Sequence, residues 1–241
     1  MRLLKRLPTE YLDDILVRLA HHSSALEGNT ITLAETISII LHNQVSSNRS
    51  IDLREVYEIK NHEQAFHYLL ETLVTNEPLH LHIVKEIHAL LMDRLQYDRG
   101  QFKSVDNAIL GADFITASVQ ETPLLMQQWV DNLNYRLDIV ATAQEKIAII
   151  AEAHIGFERI HPFADGNGRT GRMLLNYSLL ERDIAPLIIN SKDKATYLRF
   201  LSEQDTTGFS QFIEATLAEE QQRLQRFVNK EQQQIFPDLP D

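Results

Sequence analysis

Apolar residues recur at helical spacing along almost the whole chain. Between Pro8 and about Leu26, for example, Leu12, Ile15 and Leu19 follow one another at intervals of three or four residues. This spacing places them on one face of an α-helix, where they can pack against a core. With 241 residues, the chain is long enough to bury a substantial core. We therefore expect an all-α fold.

The same periodicity predicts helices along the rest of the sequence. One of them opens with a capping box formed by Thr32 and Glu35, in which each side chain accepts a hydrogen bond from the other residue's backbone N–H group. Ser191 is expected to cap another helix. The predicted helices cover approximately 8–26, 32–43, 52–74, 79–95, 122–140, 143–160, 167–180, 191–203 and 209–232.

The segment from His161 to Arg172, which reads HPFADGNGRTGR, is the most distinctive part of the chain. A glycine-rich turn that opens a helix is a ready anion site, because the N–H groups of the first turn are unpaired and the helix dipole is positive there. If the helix begins near Asn167, Arg169 and Arg172 lie on one face and lean back toward the same anion. We interpret the segment as a polyphosphate site.

Residues before the turn add further chemistry. Pro162 disfavours helical geometry at His161, so we expect the imidazole on an extended loop, where an ordinary pKa of about 6.5 suits a proton acceptor near neutral pH. Asp165 offers a hard oxygen ligand beside the phosphates, as in many proteins that hold Mg²⁺ together with a nucleotide. Phe163 is expected to anchor the loop. The segment is not a Walker loop, because that spacing and its lysine are absent.

The run His-Pro-Phe-x-Asp-Gly-Asn-Gly-Arg-x-x-Arg at 161–172 resembles the signature of Fic-domain proteins at every specified position. Residues 153–160 also resemble the helix that leads into this loop in the family. The resemblance implies a Fic-type helical bundle with a short β-hairpin flap. It also implies an enzyme that transfers a nucleotidyl group, usually AMP from ATP, to a Ser, Thr or Tyr hydroxyl of a target protein.

The resemblance further implies a role for each residue of the motif. His161 would be the catalytic base, and Asp165 would be the ligand of Mg²⁺. The other motif residues would bind the phosphates of ATP, with Gly166, Asn167 and Gly168 as the cradle and with Arg169 and Arg172 on the distal phosphates.

A second motif lies far upstream, where Ser23, Glu27 and Gly28 resemble the Fic inhibitory motif Ser/Thr-x-x-x-Glu-Gly/Asn. Its position before the catalytic loop is typical of the N-terminally self-inhibited class of the family. The implied role is that Glu27 pairs with Arg172 and takes the place of the γ-phosphate of ATP. The same residues also fit an ordinary helix end with Gly28 in the left-handed conformation, and both interpretations can hold at once.

The two motifs leave other activities open. The same pocket could remove AMP from a modified protein, with Glu27 orienting a water molecule. It could also transfer a different phosphate-containing group. A third alternative, from another class of protein, is a non-catalytic interaction module that binds ATP without turnover.

One stretch, 101–118, departs from the helical pattern. Apolar pairs flank a glycine-containing turn at 109–115, which predicts a short β-hairpin. The segment at this place in Fic proteins is a flap that aligns the target protein, so we expect an unidentified target to dock near 109–116 by strand addition. A packed surface loop without a partner is the alternative.

Two residues outside the motifs have competing interpretations. Tyr197 lies where Fic helices often carry an aromatic residue near the nucleotide, but a core or surface position fits the sequence equally well. His154 is expected to be structural. The histidines lack the His-x-x-x-His and His-Glu-x-x-His patterns, which argues against a zinc site.

Composition excludes several other classes of protein. The chain has no cysteine, so disulfides and cysteine–zinc sites are ruled out. The formal net charge of −11 argues against nonspecific nucleic-acid binding. No apolar run approaches the ~18 residues of a membrane span, and the N-terminus lacks a signal-peptide core, so we expect no membrane association and a cytoplasmic location.

We expect these helices to form one compact unit with three parts and a tail. The parts are an N-terminal helical region carrying the inhibitory motif (1–75), the Fic core (76–190), C-terminal helices that pack on the core (191–235) and a frayed tail (236–241). The sequence does not determine whether the chain forms a homodimer through its last helix.

Overall fold

A computed structural model describes residues 3–45, 48–108 and 115–235 of the chain. All regular elements within these ranges are helical, which confirms the all-α prediction. The flap predicted near 109–116 falls largely on residues 109–114, which lie outside the described residues. The hairpin therefore stays a prediction.

The α-helices of the described residues are numbered in chain order. They are α1 Thr9–Leu26, α2 Leu33–His42, α3 Leu53–Val74, α4 Leu81–Leu91, α5 Thr122–Ile139, α6 Ala143–Ile160, α7 Asn167–Glu181, α8 Lys194–Glu203 and α9 Thr206–Ile235. Short 3-10 turns occupy Leu4–Arg6 and Ser191–Asp193.

Local capping chemistry explains several helix ends that the sequence predicts. The capping box of Thr32 and Glu35 is present at the start of α2. An equivalent box, formed by Thr142 and Glu145, opens α6. Because each box satisfies backbone N–H groups that the first turn leaves unpaired, these starts are fixed by a few neighbouring residues.

The end of α1 combines a helix cap with the upstream motif. Gly28 has φ +101°, and its N–H group donates to the Ala25 carbonyl while the Asn29 N–H group donates to the Ser24 carbonyl. This pair of bonds is a Schellman motif, which requires a left-handed residue and favours glycine. The helix-cap interpretation of Gly28 is confirmed, and the cap places Glu27 at the last turn of α1.

Two predicted helix boundaries are wrong, one because of a long-range contact and the other because of a local one. Helix α4 ends at Leu91 instead of residue 95, because the Asn61 side-chain amide donates to the carbonyls of Leu91 and Asp93 at 3.0 and 2.8 Å. Ser191 does not cap α8. Asn190 caps the 3-10 turn that precedes α8, with its side chain accepting from the Lys192 N–H group.

Helix α7 lies at the centre of the molecule. Almost all of its residues are buried, because it packs against α1, α3, α4 and α6. Its C-terminal half buries mainly apolar residues, whereas its N-terminal half buries the polar side chains of Asn167, Arg169 and Arg172. Its N-terminal end, the predicted anion site, therefore lies where α1, α3 and α4 meet.

The last helix, α9, docks on the bundle within the chain. It packs against α6 and α1, and Arg18 on α1 forms two hydrogen bonds with Glu220 on α9, at 2.8 and 2.7 Å. The division into parts, the tail and the homodimer stay predictions. No helix of the described residues has the length and apolar character that a membrane crossing needs.

Candidate active site

His161 ends α6 and begins the loop at 161–166. Its φ and ψ are 50° and 59°, a left-handed conformation, so the predicted extended geometry is wrong although the right-handed helix is indeed avoided. The His161 N–H group still donates to the Phe157 carbonyl at 3.0 Å. A left-handed residue that retains this bond turns the chain sharply out of the helix, and Pro162 then prevents the helix from continuing.

The protonation of His161 follows from its contacts. Its Nδ1 atom lies 3.3 Å from the Glu158 carbonyl oxygen, which only accepts, so Nδ1 carries the proton and Nε2 keeps a lone pair. Burial lowers the pKa of His161 below its usual value, with the nearby Lys103 acting in the same direction. The imidazole is therefore neutral near pH 7 and can accept a proton at Nε2.

A group of neutral side chains holds the loop at 161–166 in place. We name Phe163, His88, Asn107 and Asn167 the loop anchor. The Phe163 ring is fully buried and stacks on the His88 ring at 3.7 Å between centroids. The Asn167 side chain accepts from the Phe163 N–H group at 2.9 Å and donates to the Phe163 carbonyl at 2.8 Å. The predicted anchoring role of Phe163 is thus confirmed.

His88 is part of this anchor and was missed by the sequence interpretation. Its Nδ1 atom accepts from the Gly100 N–H group at 2.8 Å, so Nε2 carries the proton and donates to the Asp165 carbonyl at 3.0 Å. Burial lowers the pKa of His88 to about 4. The only sequence signal is that His88 occupies a position on the apolar face of α4, between Val84 and Leu91.

The segment before the undescribed residues supports the loop from a second side. The Lys103 N–H group donates to the Pro162 carbonyl at 2.8 Å. The Asn107 side-chain amide donates to the carbonyls of His161 and Phe163 at 3.3 and 2.8 Å. These bonds satisfy loop carbonyls that no helix pairs, so they fix the backbone around His161.

Two glycines of the motif are required by close approach. Gly166 has φ +76°, and a Cβ atom there would collide with the Met92 side chain. A Cβ atom at Gly168 would collide with the carboxylate of Glu27 and crowd Nη1 of Arg172. The missing side chain at Gly168 is therefore what lets Glu27 reach the start of α7.

Charged residues from several helices surround the N-terminal end of α7. We name Glu27, Glu58, Asp165, Arg169 and Arg172 the arginine mouth. The two arginines lie one turn apart on the same helix, as the sequence predicts, and their side chains are 3% and 5% exposed. Guanidinium groups buried to this degree need counter-ions. The structure of the arginine mouth therefore depends on which carboxylate lies beside each arginine.

Arg172 is held by the upstream motif. Its Nη2 atom donates to Glu27 Oε1 at 2.6 Å and to the Ser23 carbonyl at 2.9 Å, and its Nε atom donates to Ser23 Oγ at 3.0 Å. Burial opposes ionisation of Glu27, but the Arg172 guanidinium holds the pKa of this carboxyl below its usual range. The structure thus brings Ser23, Glu27 and Arg172 together as the sequence predicts.

The other predicted site residues have different partners. Arg169 lies 3.7 Å from Glu58 Oε1 and 3.9 Å from Asp165 Oδ1. The Asp165 side chain is 51% exposed and accepts from Arg54 at 3.2 Å. Neither Glu58 nor Arg54 lies in a motif, so the sequence interpretation missed both.

Asp165 fits a magnesium ion that is bound together with a nucleotide. Mg²⁺ commonly takes one or two carboxylates and completes its shell with phosphate oxygens and water, so an accessible carboxylate beside buried guanidinium groups is a suitable donor set. Among the described residues, no cluster of three or more metal-ligating side chains occurs. Asp165 could hold Mg²⁺ only together with further ligands, such as phosphate oxygens and water.

A buried layer lies behind Arg172. The Arg172 guanidinium lies 6.0 Å from the centre of the Tyr197 ring. His154 Nδ1 lies 3.2 Å from the Gly171 carbonyl, so it carries the proton, and Nε2 accepts from the Tyr197 hydroxyl at 2.8 Å. Tyr197 is thus a core residue that contacts Arg172, and His154 is structural, as expected. Burial raises the pKa of the neighbouring Glu158 to about 8.

Comparison with known proteins gives an independent view of this arrangement. The Fic/DOC family profile matches residues 78–179. Proteins named protein adenylyltransferase Fic from Drosophila willistoni and Drosophila erecta are 31% and 32% identical over 197 residues, which is 80% of this chain. The chain spans only 38% of the length of these relatives.

Solved structures show the same architecture. A Fic-domain-containing signaling protein from Bacteroides thetaiotaomicron superposes with a TM-score of 0.83 at 26% identity, covering 94% of each chain. Fic-1 from C. elegans superposes with a TM-score of 0.75 over 97% of this chain and 67% of its own, and its 23% identity supports the fold alone. The loop and all but the last two residues of the helix that it opens lie within residues 78–179, which the family profile matches. The chain therefore contains a domain of the Fic/DOC family, at residues 78–179.

Proposed function

We propose that this chain transfers AMP from ATP to a Ser, Thr or Tyr hydroxyl of a target protein. The observation that carries the proposal is a neutral imidazole with an unprotonated Nε2, on a fixed loop that opens into two buried guanidinium groups. The name of the curated relatives supports the same activity. Because the chain spans a minor part of those proteins, its own activity is inferred from the site.

The reaction follows from the position of these groups. The target hydroxyl oxygen attacks the α-phosphorus of ATP and gives its proton to Nε2 of His161. The bond from the α-phosphorus to the bridging oxygen breaks, and pyrophosphate leaves with the electron pair. General-base help of this kind is worth about 10²–10⁴ in rate.

Charge compensation by the protein accounts for the binding of the leaving group. Arg169 and Arg172 would bind the distal phosphates, and the N–H groups at the start of α7 would bind the phosphate nearest to Gly166 and Gly168. The Asn167 side chain binds the backbone N–H and carbonyl groups of Phe163, so it would support the phosphate-binding turn through the loop. When bound at Asp165, Mg²⁺ would supply further neutralisation of the triphosphate.

We propose that Glu27 holds the site in an inhibited state. Its carboxylate takes the Nη2 donor of Arg172, which a γ-phosphate would otherwise use. Two opposite charges about 4 Å apart attract by roughly 4 kcal/mol at an effective dielectric near 20, before desolvation is counted. An interaction of this size biases the site strongly and remains reversible.

The target would dock near 109–116, of which Ile115 and Thr116 belong to the described part of the chain. Ile115, the first described residue after the gap, is 96% exposed, which supports docking of a partner there. We also propose that the predicted parts of the chain act as one unit, since Ser23 and Glu27 bind Arg172 on α7. A cytoplasmic location stays a proposal.

Labelled ATP tests the proposed activity. Incubation with the Glu27→Gly variant should transfer label from the α-phosphate of ATP to protein and none from the γ-phosphate, and the wild-type chain should transfer much less. The double variant Glu27→Gly/His161→Ala is the matched control and should transfer none. Transfer of γ-label, or full transfer by the double variant, would contradict the proposed chemistry.

A second candidate function is removal of AMP. The Glu27 side chain binds Arg172 through Oε1 and is 41% exposed, so its other oxygen could orient a water molecule toward a phosphorus atom. Self-modified Glu27→Gly protein, freed of ATP and mixed with wild-type chain, separates the two activities. Release of AMP that requires Glu27 supports hydrolysis, whereas stable label together with active transfer by Glu27→Gly supports transfer.

The non-catalytic module is tested by the same preparation. Tight ATP binding by the Glu27→Gly variant without any labelled product, even in a lysate that supplies many targets, would support that alternative. A parallel series with UTP, GTP and CTP shows whether the transferred group is adenylyl.

A further inference from the structure

We infer that Glu58 is a positioning residue of the nucleotide site. Its carboxylate holds the Arg169 guanidinium at the N-terminal end of α7 without taking hydrogen-bond donors, and it links this arginine to the segment that carries the inhibitory glutamate. The inference rests on the proposed nucleotide site. It concerns a residue on α3, outside both sequence motifs.

The burial of Arg169 is the first part of the argument. Its side chain is 3% exposed, and its nearest carboxylates belong to Glu58 and Asp165. Both carboxylates also pair with Arg54, but the Asp165 side chain is 51% exposed, whereas the Glu58 side chain is 11% exposed. Water screens a buried charge less than an exposed one, so Glu58 is the main counter-ion of Arg169.

The distance between the two groups is the second part. Glu58 Oε1 lies 3.7 Å from Arg169 Nη1, which is too long for a hydrogen bond. The Nε and Nη1 atoms of Arg169 are buried and have no hydrogen-bond partner among the described residues. A buried donor without an acceptor is costly, and phosphate oxygens would satisfy these atoms.

Arg172 shows the opposite arrangement. Its Nε and Nη2 atoms already donate to Ser23 and Glu27, so a phosphate must displace a bond to use either of these two atoms. Glu58 instead compensates the charge of Arg169 and leaves the donors available. Glu27 therefore competes with the ligand, whereas Glu58 prepares an arginine for it.

The contacts of the second Glu58 oxygen supply the link to the inhibitory motif. Oε2 accepts from the Asn29 side-chain amide at 2.9 Å, and Asn29 lies directly after Gly28 in the turn that ends α1. Oε1 also accepts from Arg54 Nε at 3.3 Å, and Arg54 pairs with Asp165. Through Glu58, the position of Arg169 is coupled to the segment that carries Glu27.

The test is the affinity for ATP and for AMP, measured by calorimetry in the Glu27→Gly background. Glu58→Gln keeps an acceptor for Asn29 but removes the charge that faces Arg169. Because Arg169 is assigned to a distal phosphate, we expect the affinity for ATP to fall about tenfold and the affinity for AMP to change less than about twofold. In an Arg169→Ala background, Glu58→Gln should cause no further loss of ATP affinity.

Glu55→Gln is the matched control. Glu55 lies on the same helix and binds the N–H and hydroxyl groups of Thr30 in the same segment, so this variant loosens the segment but leaves the charge at Arg169. We expect it to preserve the ratio of ATP to AMP affinity. If Glu58→Gln fails to fold, Glu58→Asp keeps the charge and should show a smaller loss that is again selective for ATP.

Two results would overturn the assignment, and a third would contradict the function on which it rests. An equal loss for ATP and AMP would indicate a merely structural role for Glu58. Unchanged or increased affinity for ATP would indicate that Glu58 is dispensable or competes with phosphate. An absence of ATP binding by the Glu27→Gly parent would instead contradict the proposed function on which the inference rests.

Discussion

The loop anchor and the arginine mouth lie on either side of the same short loop, and they are built from different interactions. The anchor uses neutral groups, such as the stacked rings of Phe163 and His88 and the amide of Asn167. The mouth uses charges, in which Arg172 binds Glu27 and Arg169 faces Glu58. A phosphate can replace a carboxylate beside an arginine, but it cannot replace a buried ring.

This difference separates the functions of the two regions. The anchor determines where His161 lies, since its bonds end on the loop backbone at His161 and Asp165. We propose that the mouth determines whether a triphosphate can enter. Substitutions in the anchor should therefore affect folding first, and substitutions in the mouth should affect ligand binding first.

Removing the central ring of the anchor should give the largest effect on stability. Phe163 is fully buried, so Phe163→Ala leaves a cavity and should lower the free energy of unfolding by about 3–5 kcal/mol. Urea denaturation measures this directly. Tyr97→Ala, at an aromatic residue that is 93% exposed, is the control and should cost less than about 0.5 kcal/mol. A similar loss in both variants would show that the loop is not anchored through this ring.

Acid should destabilise the chain through buried neutral histidines beneath the mouth. Burial lowers the pKa values of His62 and His154 to about 3, so both are neutral in the folded state while the unfolded chain binds protons below about pH 6.5. Their contribution is fully present above pH 6.5 and is lost as the pH falls toward 3. Below pH 6.5, each histidine should lower the free energy of unfolding by about 1.4 kcal/mol per pH unit, which amounts to about 2 kcal/mol at pH 5.

The measurement is urea denaturation at several pH values between 7 and 5. His154→Gln is expected to be less stable at pH 7 but to lose less stability on acidification than the wild-type chain. His67→Gln, at an exposed histidine, is the control. An unchanged dependence on pH in His154→Gln would contradict the assignment of a neutral buried His154.

A smaller effect is expected where the mouth is held by a hydroxyl. Ser23 Oγ accepts from Arg172 Nε, and a hydrogen bond to a charged group is worth about 1.5–3 kcal/mol. Ser23→Ala should therefore destabilise the chain by about 1.5 kcal/mol in urea denaturation. Ser24→Ala is the matched control, because the Ser24 hydroxyl is buried without a hydrogen-bond partner among the described residues. Equal losses in the two variants would mean that Ser23 contributes nothing specific to Arg172.

Local sequence signals predict much of the fold. The capping boxes at Thr32 and Thr142, and the left-handed end at Gly28, need only a few consecutive residues, so they could be predicted without tertiary information. The end of α4 could not, because Asn61 terminates it from another helix. The left-handed His161 could not either, since Pro162 permits more than one non-helical geometry.

The sequence likewise predicts one part of the candidate site and not the other. The resemblance of the two motifs predicts the pairing of Glu27 with Arg172, although 145 residues separate them. It gives no information on Glu58, Arg54 or His88, which reach the site from α3 and α4 as single polar residues on otherwise ordinary helices. Their partners become apparent only when the helices are packed around α7.

The most direct test of the account compares ATP with ADP. The central claim is that Glu27 occupies the place of the γ-phosphate on Arg172, so its removal should favour only the nucleotide that has this phosphate. In Glu27→Gly, we expect the affinity for ATP measured by calorimetry to rise at least about tenfold over wild type, and the affinity for ADP to change less than about twofold. An equal gain for both nucleotides, or none for ATP, would contradict it.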